Sequence, residues 1–242
     1  MTEKSIEEKR LQRKQILVRD IPRAVLGYLL VWSDTDAKLC SNLNKQAAKA
    51  KEMHDAACKY RVARHFPKAE QGHSIENEEK FKQFWNRIIA ICRQNQKAKI
   101  TERIDLVAQD LGRHATPNKT NSSELRSAAS KFLWLMGDHE VRIYDTQAVG
   151  ALRSINGLKV KHTYAEFYES WETEFRYFND YIAEYIETAI EENLAKWISH
   201  SSTAQPVWQP EEVMSKLWFR HRVFDQLLWK AGGGRHQRHE KI

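Results

Sequence analysis

The chain has 242 residues, 41% of them hydrophobic, and 39 Lys or Arg against 32 Asp or Glu, a formal net charge of +7. That is enough apolar material for a sizeable core, organised as one domain or one domain of two lobes rather than as two domains. Cys40, Cys58 and Cys92 lie on helix-like segments without a C-x-x-C pair, which excludes a disulfide framework and a zinc site and predicts buried thiols in a reducing cytoplasm.

Only 9 Gly and 5 Pro punctuate a chain rich in Ala, Leu, Glu, Lys, Arg and Gln, residues that lose little side-chain freedom in a helix, so the expected fold class is all-α. The N-terminal MTEKSIEEKRLQRKQ is charged and has no signal-peptide core. Helical periods follow in residues 5–32, interrupted near Pro22, whose longest apolar run, Ala24 to Trp32, falls far short of the roughly 20 residues a membrane helix needs. A soluble, cytoplasmic protein with no membrane partner is expected. The next periods are 35–65, with a stripe of Leu39, Leu43, Ala50, Met53, Ala57 and Tyr60, then 76–96, 99–112, 122–137, 145–156, 164–199 and 210–231. Breaks fall at Phe66-Pro67, Ala115 to Asn118, Asn156-Gly157 and Ser199 to Pro210. Residues 232–242 form a flexible basic tail.

Charge is segregated along the chain. From Lys38 to Lys68 eight Lys or Arg face only Glu52 and Asp55, whereas Tyr164 to Ile198 holds nine acids against Arg176 and Lys196. Such a chain can turn a basic face to a polyanion, DNA first, while an acidic face stays in water. Long helices that simply carry solvated charge give the same pattern.

Residues 99–156 carry the most specific pattern: helix, polar connection (Gly112 to Asn121), helix, short extended connector, helix. Asn121 or Ser122 is suited to cap the middle helix, with Glu124 placed for a capping box. Its apolar positions, Leu125, Ala128, Ala129, Phe132, Leu133 and Met136, have the 3-and-4 spacing of a buried stripe, and Ser127 and Lys131 share another face one turn apart. Gly137 ends this helix, Val141 to Tyr144 reads as extended, and Asp145 stands where an N-cap is wanted.

The stretch Ala129-Ser-Lys131-Phe-Leu-Trp134, continuing to Ile143-Tyr144-Asp145 and Ala151-Leu152, resembles the core of helix-hairpin-helix DNA glycosylases of the 8-oxoguanine type, and more closely their bacterial 8-oxoguanine-glycosylase-like relatives, which read A-S-K-x-L-H-F, then P-I-x-D and A-L. Arg222-Val-Phe-Asp225-Gln-Leu-Leu-Trp229-Lys-Ala-Gly232 also resembles the end of those relatives. The resemblance implies a helix-hairpin-helix glycosylase-like helical domain over 1–231, with a catalytic core at about 99–231 and additional long helices at both ends. Some glycosylases of this group defend bacteria by excising glucosylated hydroxymethylcytosine from phage DNA. The implied activity is flipping out a modified base and hydrolysing its glycosidic bond, on double-stranded DNA, by a monomer without cofactor or metal.

The resemblance makes Asp145 the catalytic carboxylate, able to stabilise positive charge on the deoxyribose and to orient water; as an N-cap it has a purely structural alternative. Alignment on Ala129 puts Ser127 where the family's attacking lysine stands, so Lys131, one turn later, is the candidate amine nucleophile or a phosphate contact, or else a solvated lysine. Trp134, Tyr144 and Trp229 are candidate pocket aromatics, and Arg222 with Asp225 either lines the pocket or forms an internal ion pair. The hairpin Asn118-Lys119-Thr120-Asn121 lacks the family's glycines, so DNA contact falls to Arg113, Lys119, Asn121, Ser122 and Ser127. No Gly-rich phosphate loop, H-E-x-x-H or G-x-S-x-G occurs, and Glu184, Glu187 and Glu191 lack the E-x-x-H partner of a di-metal centre. The alternative class is a non-catalytic nucleic-acid-binding or partner-binding protein that keeps a degenerate glycosylase fold.

Overall fold

The computed structural model describes residues 3–44, 49–63, 66, 75–94, 97–115, 122–160, 162–192 and 209–233, and every regular element among them is helical. The fold is all-α. None of the described helices is long and apolar enough to cross a membrane.

Helices α1 (Glu3–Arg19) and α2 (Ile21–Val31) part at Pro22, which sits in the first turn of α2 where a missing N–H goes unused. A π turn, Trp32–Asp36, leads into α3 (Ala37–Leu43), and α4 (Ala50–Lys59) restarts at Lys49, whose backbone N–H donates to the Glu52 carboxylate at 2.8 Å. The single helix expected over 35–65 is thus two, in keeping with Ser41, Asn42 and Asn44, which compete for backbone hydrogen bonds outside helices. Helices α5 (Ile75–Arg93), α6 (Ile100–Ala115), α7 (Ser122–Leu135), α8 (Thr146–Ile155) and α9 (Tyr164–Glu191) follow. The expected helix at 210–231 divides into α10 (Pro210–Met214) and α11 (Leu217–Ala231), because Lys216 is extended at ψ 139°. The hairpin residues 116–121, the segment 193–208 and the tail from 234 onward lie outside the described residues.

The chain divides into two compact units, one made of Thr35–Tyr144 and the other of Met1–Asp34 with Asp145–Ile242. In the second of these, α11 is the central helix and packs on α2, α8 and α9. Its buried Phe219 meets Tyr28 of α2 at 5.2 Å between ring centroids, and Phe224 meets Trp171 and Phe178 of α9 at 4.9 and 5.3 Å. Thr163 caps α9 reciprocally with Glu166, its N–H donating to the carboxylate at 2.7 Å and its Oγ1 accepting the Glu166 N–H at 3.2 Å, which holds that carboxyl below its ordinary range. Gly232, at the end of α11, lies against the backbone of α8, where a Cβ would run into the Gln147 carbonyl. A backbone neighbour cannot turn aside as a side chain would. Gly232→Ala is therefore expected to cost about 1–3 kcal/mol in chemical denaturation; a variant as stable as the parent would show that α8 and α11 do not approach this closely.

In the Thr35–Tyr144 unit, α7 is surrounded by α3, α4, α5 and α6. Every side chain from Ala128 to Leu135 is buried, as is Leu125, so that of the predicted stripe only Met136, just past the end of α7, is half-buried. Phe66 stacks on Phe132 at 5.9 Å and meets Trp85 of α5 edge-on at 5.4 Å. Cys40 and Cys92 are buried as expected, and burial pushes the Cys92 thiol up to about 12. Cys58 corrects the expectation of three buried thiols: it falls on the outer face of α4 and is exposed, with Sγ 3.5 Å from His54 Nε2.

Candidate functional site

Within the Thr35–Tyr144 unit, Lys131 of α7 is buried at 8% exposure, and its Nζ donates to Ser127 Oγ at 3.0 Å. The one-turn spacing predicted to put these side chains on one face does so. Lys131 is not the solvated surface lysine that one sequence-based alternative describes. Ser130 completes a local network, its Oγ donating to the Ser127 carbonyl at 3.2 Å and accepting the backbone N–H of Tyr144 at 3.0 Å. The helix bearing Lys131 is thereby pinned to the last residue of the connector.

That connector is held along its whole length. Gly137, at φ 96°, closes α7 in the left-handed region, and the Asp138 N–H donates back to the Leu133 carbonyl at 3.1 Å. Asp138 forms an ion pair with Arg103 of α6. The buried Arg142 guanidinium donates to the carbonyls of His139 at 3.3 Å and Glu140 at 3.0 Å. Trp134, almost fully buried, packs on the His139 ring at 5.4 Å.

Burial shifts both titrating groups here toward neutrality. The Asp138 carboxyl lies above its ordinary value of 3.8, raised by burial and partly restrained by Arg103, while the His139 imidazole lies below its ordinary 6.5. A depressed imidazole means that the folded state binds fewer protons than the unfolded chain, so the contribution of His139 is fully present above pH 6.5 and is lost as pH falls from there through the folded value. The melting temperature is expected to fall between pH 7.5 and 5.5, and His139→Gln to reduce that fall, as read by calorimetry. An unchanged slope in the variant would show that His139 does not titrate in this window. Asp138 acts with the opposite sign at lower pH, its raised carboxyl contributing fully below 3.8 and losing that contribution as pH rises.

In the other unit, Asp145 is extended at φ −141°, ψ 145° and caps α8, its Oδ1 accepting the Gln147 N–H at 2.9 Å. The side chain is half-buried at the positive end of the helix dipole, where a carboxylate is favoured. Arg222 and Asp225 of α11 form an internal ion pair at 2.8 Å, both less than a tenth exposed, and the second carboxylate oxygen accepts Trp171 Nε1–H at 2.9 Å. The Arg222 guanidinium also lies over the Tyr28 ring at 5.2 Å. Of the two sequence alternatives for this pair, the coordinates match the internal ion pair. Trp229, later on α11, is half-buried.

Arg113 lies elsewhere, at the exposed end of α6, where it bonds Asp110 at 3.0 Å and lines a groove of about 350 Å³ with Arg87, Ile91, Asp110 and His114. None of the other candidate residues lines that groove. Lys119 and Asn121 lie outside the described residues, as do the side chains of Ser122 and of Glu124 of the expected capping box. No group of three or more His, Cys, Asp or Glu suited to a metal occurs among the described residues.

Four participants were not visible in the sequence pattern. Ser130 sits within an apolar stripe, Arg142 within an apolar run, Trp171 is 54 residues from the aspartate it bonds, and Arg87 is on a different helix from Arg113. Only the polar interruption at Arg142 is a local signal, because a charge between Val141 and Ile143 must find backbone partners if the run is buried. No protein-family model, curated protein or solved structure matches the chain.

Proposed function

We propose that the protein is a DNA glycosylase that flips out a modified base and hydrolyses its N-glycosidic bond, leaving an abasic site. The observation that carries this proposal is the carboxylate of Asp145, oriented by the Gln147 N–H at 2.9 Å and left half-buried at the start of α8. A fixed anion of this kind stabilises the positive charge that grows on the deoxyribose as the bond breaks, without reorganising at the moment of reaction. Water bonds to C1′ and passes a proton to the carboxylate, and the base leaves with the electron pair of the broken bond. Lys131, which belongs to the other unit, is a separate candidate, either as a nucleophile whose Schiff base leads to strand cleavage or as a phosphate contact. The rigid network around Lys131, Ser127, Ser130 and Tyr144 supports its being held for a purpose other than solvation.

Bases on offer include oxidised guanine and the glucosylated cytosines of phage DNA, and the resemblance to defence glycosylases favours the latter. The test is to incubate the protein with duplexes carrying each base and measure free base released. Release without a borohydride-trapped adduct is the expected outcome and assigns simple hydrolysis; a trapped adduct lost in Lys131→Gln would assign the lysine as nucleophile. The non-catalytic alternative is favoured by one observation, that the Gln147 bond accounts for Asp145 as a plain N-cap. It predicts DNA binding with no base release from any substrate.

A further inference from the structure

We propose that the groove between α5 and α6 is a nucleic-acid backbone site, in which Arg87 and Arg113 each pair a phosphate while His114 flanks them. The inference rests on the nucleic-acid part of the function proposed above and not on its chemistry.

Three independent observations point there. The first is charge: the groove lining carries two guanidiniums against the one carboxylate of Asp110, within the unit that holds the whole formal net charge of +7, six of it in the run from Lys38 to Lys68. The second is construction. Arg87 comes from α5 and Arg113 from α6, and the buried Ile91 of α5 lines the groove with them. His114 does not wander, since its ring stacks on Phe84 at 4.7 Å and 21°, and its Nε2 lies 3.4 Å from the Phe84 carbonyl oxygen. The third is shape and exposure. The Arg113 side chain is 75% exposed, so the site does not enclose a small ligand, which a cofactor pocket does by burying most of its guest. An open groove with two guanidiniums suits a ligand that extends beyond it, such as a sugar-phosphate chain, and guanidinium geometry matches phosphate oxygens.

Two features set how such a site works. It lies at the carbonyl end of α6, where the helix dipole repels anions, so attraction must come from the side chains and not from helix amides. Asp110 holds Arg113 at 3.0 Å in the absence of ligand and competes with a phosphate for it. Asp110 therefore weakens binding, and neutralising it should strengthen binding.

Fluorescence anisotropy of a labelled, unmodified duplex, titrated with the full chain at several salt concentrations, tests this directly. Each phosphate contact contributes about 0.9 to the slope of log Kd against log salt, so the double variant Arg87→Gln/Arg113→Gln is expected to lower the slope by about 1.8. Asp110→Asn should bind more tightly than the parent. Arg19→Gln/Arg23→Gln, a matched loss of two exposed charges where α1 meets α2 in the other unit, should leave the slope nearly unchanged. The proposal is overturned if the groove variant binds as the parent does, if the Arg19/Arg23 variant loses as much, if the parent shows no salt-sensitive binding, or if a labelled polyglutamate peptide rather than the duplex is what the groove variant fails to hold. The Arg87 and Arg113 side chains are exposed and Asp110 is half-buried, and unchanged thermal melts will confirm intact folding. Salt-sensitive duplex binding by a parent that releases no base fails the chemistry and leaves the groove standing, whereas base release together with an unaltered slope in the groove variant does the reverse, so the two failures give different results.

Discussion

Asp145→Asn is expected to lower base release by about 10²–10³-fold, the magnitude seen when one preorganised electrostatic partner is removed from a developing charge. The same variant should lose no more than about 1 kcal/mol of stability, the contribution of the helix dipole to a carboxylate at its start. Asparagine and aspartate are equally good N-caps, and the amide oxygen can accept the Gln147 N–H just as Oδ1 does at 2.9 Å. What changes is the negative charge alone. Asp145→Ala removes both charge and cap, so it should lose activity to the same extent and in addition cost about 0.5–2 kcal/mol of stability. The pair of variants separates the two roles that share one side chain. If Asp145→Asn keeps parental activity while Asp145→Ala is merely less stable, the carboxylate is a cap and nothing more.

The largest stability effect should come from Asp225→Ala. It leaves the Arg222 guanidinium, only 4% exposed, without its carboxylate, and strips the Trp171 indole N–H of its acceptor. Removing one member of a buried pair typically costs about 3–5 kcal/mol, because the remaining charge is uncompensated in a poor solvent. A chain of this size loses roughly 2–4 °C per kcal/mol, so the change should be plain in a thermal melt. Replacing both residues together, Arg222→Met with Asp225→Leu, removes the charge along with its partner and should cost much less than the single variant, since well-packed apolar groups often equal a buried ion pair. A double variant as damaged as Asp225→Ala would indicate that the pair does more than balance charge. Asp225→Ala that melts with the parent would mean that the interior around α11 relaxes enough to hydrate Arg222.

Much of the helical layout was legible because burial imposes a period. The stripe on α7 follows from Leu125, Ala128, Ala129, Phe132 and Leu133 alone, and Pro22, Gly137 and Asp145 marked a boundary or cap where the structure has one. The breaks at Lys49 and Lys216 were not legible, since a lysine with extended backbone looks like any helical lysine until its neighbours in space are known. The i, i+3 spacing of Arg222 and Asp225 announced a pair, but the alternative of pocket or ion pair turned on Trp171, which comes from another helix. The Arg87 and Arg113 groove is of the same kind: two unremarkable surface arginines become a site only when α5 packs beside α6. The charge segregation, by contrast, was legible outright, because six of the seven excess positive charges of Thr35–Tyr144 fall in the run from Lys38 to Lys68.

The central claim is that a carboxylate at the start of α8 performs chemistry on a nucleoside, and its most direct test is a count of abasic sites. Phage DNA bearing glucosylated cytosines, incubated with excess protein and then labelled with an aldehyde-reactive probe, should gain sites with the parent and almost none with Asp145→Asn at equal DNA occupancy. No gain with the parent on this or on oxidised-guanine duplex, or equal gains with both proteins, would contradict it.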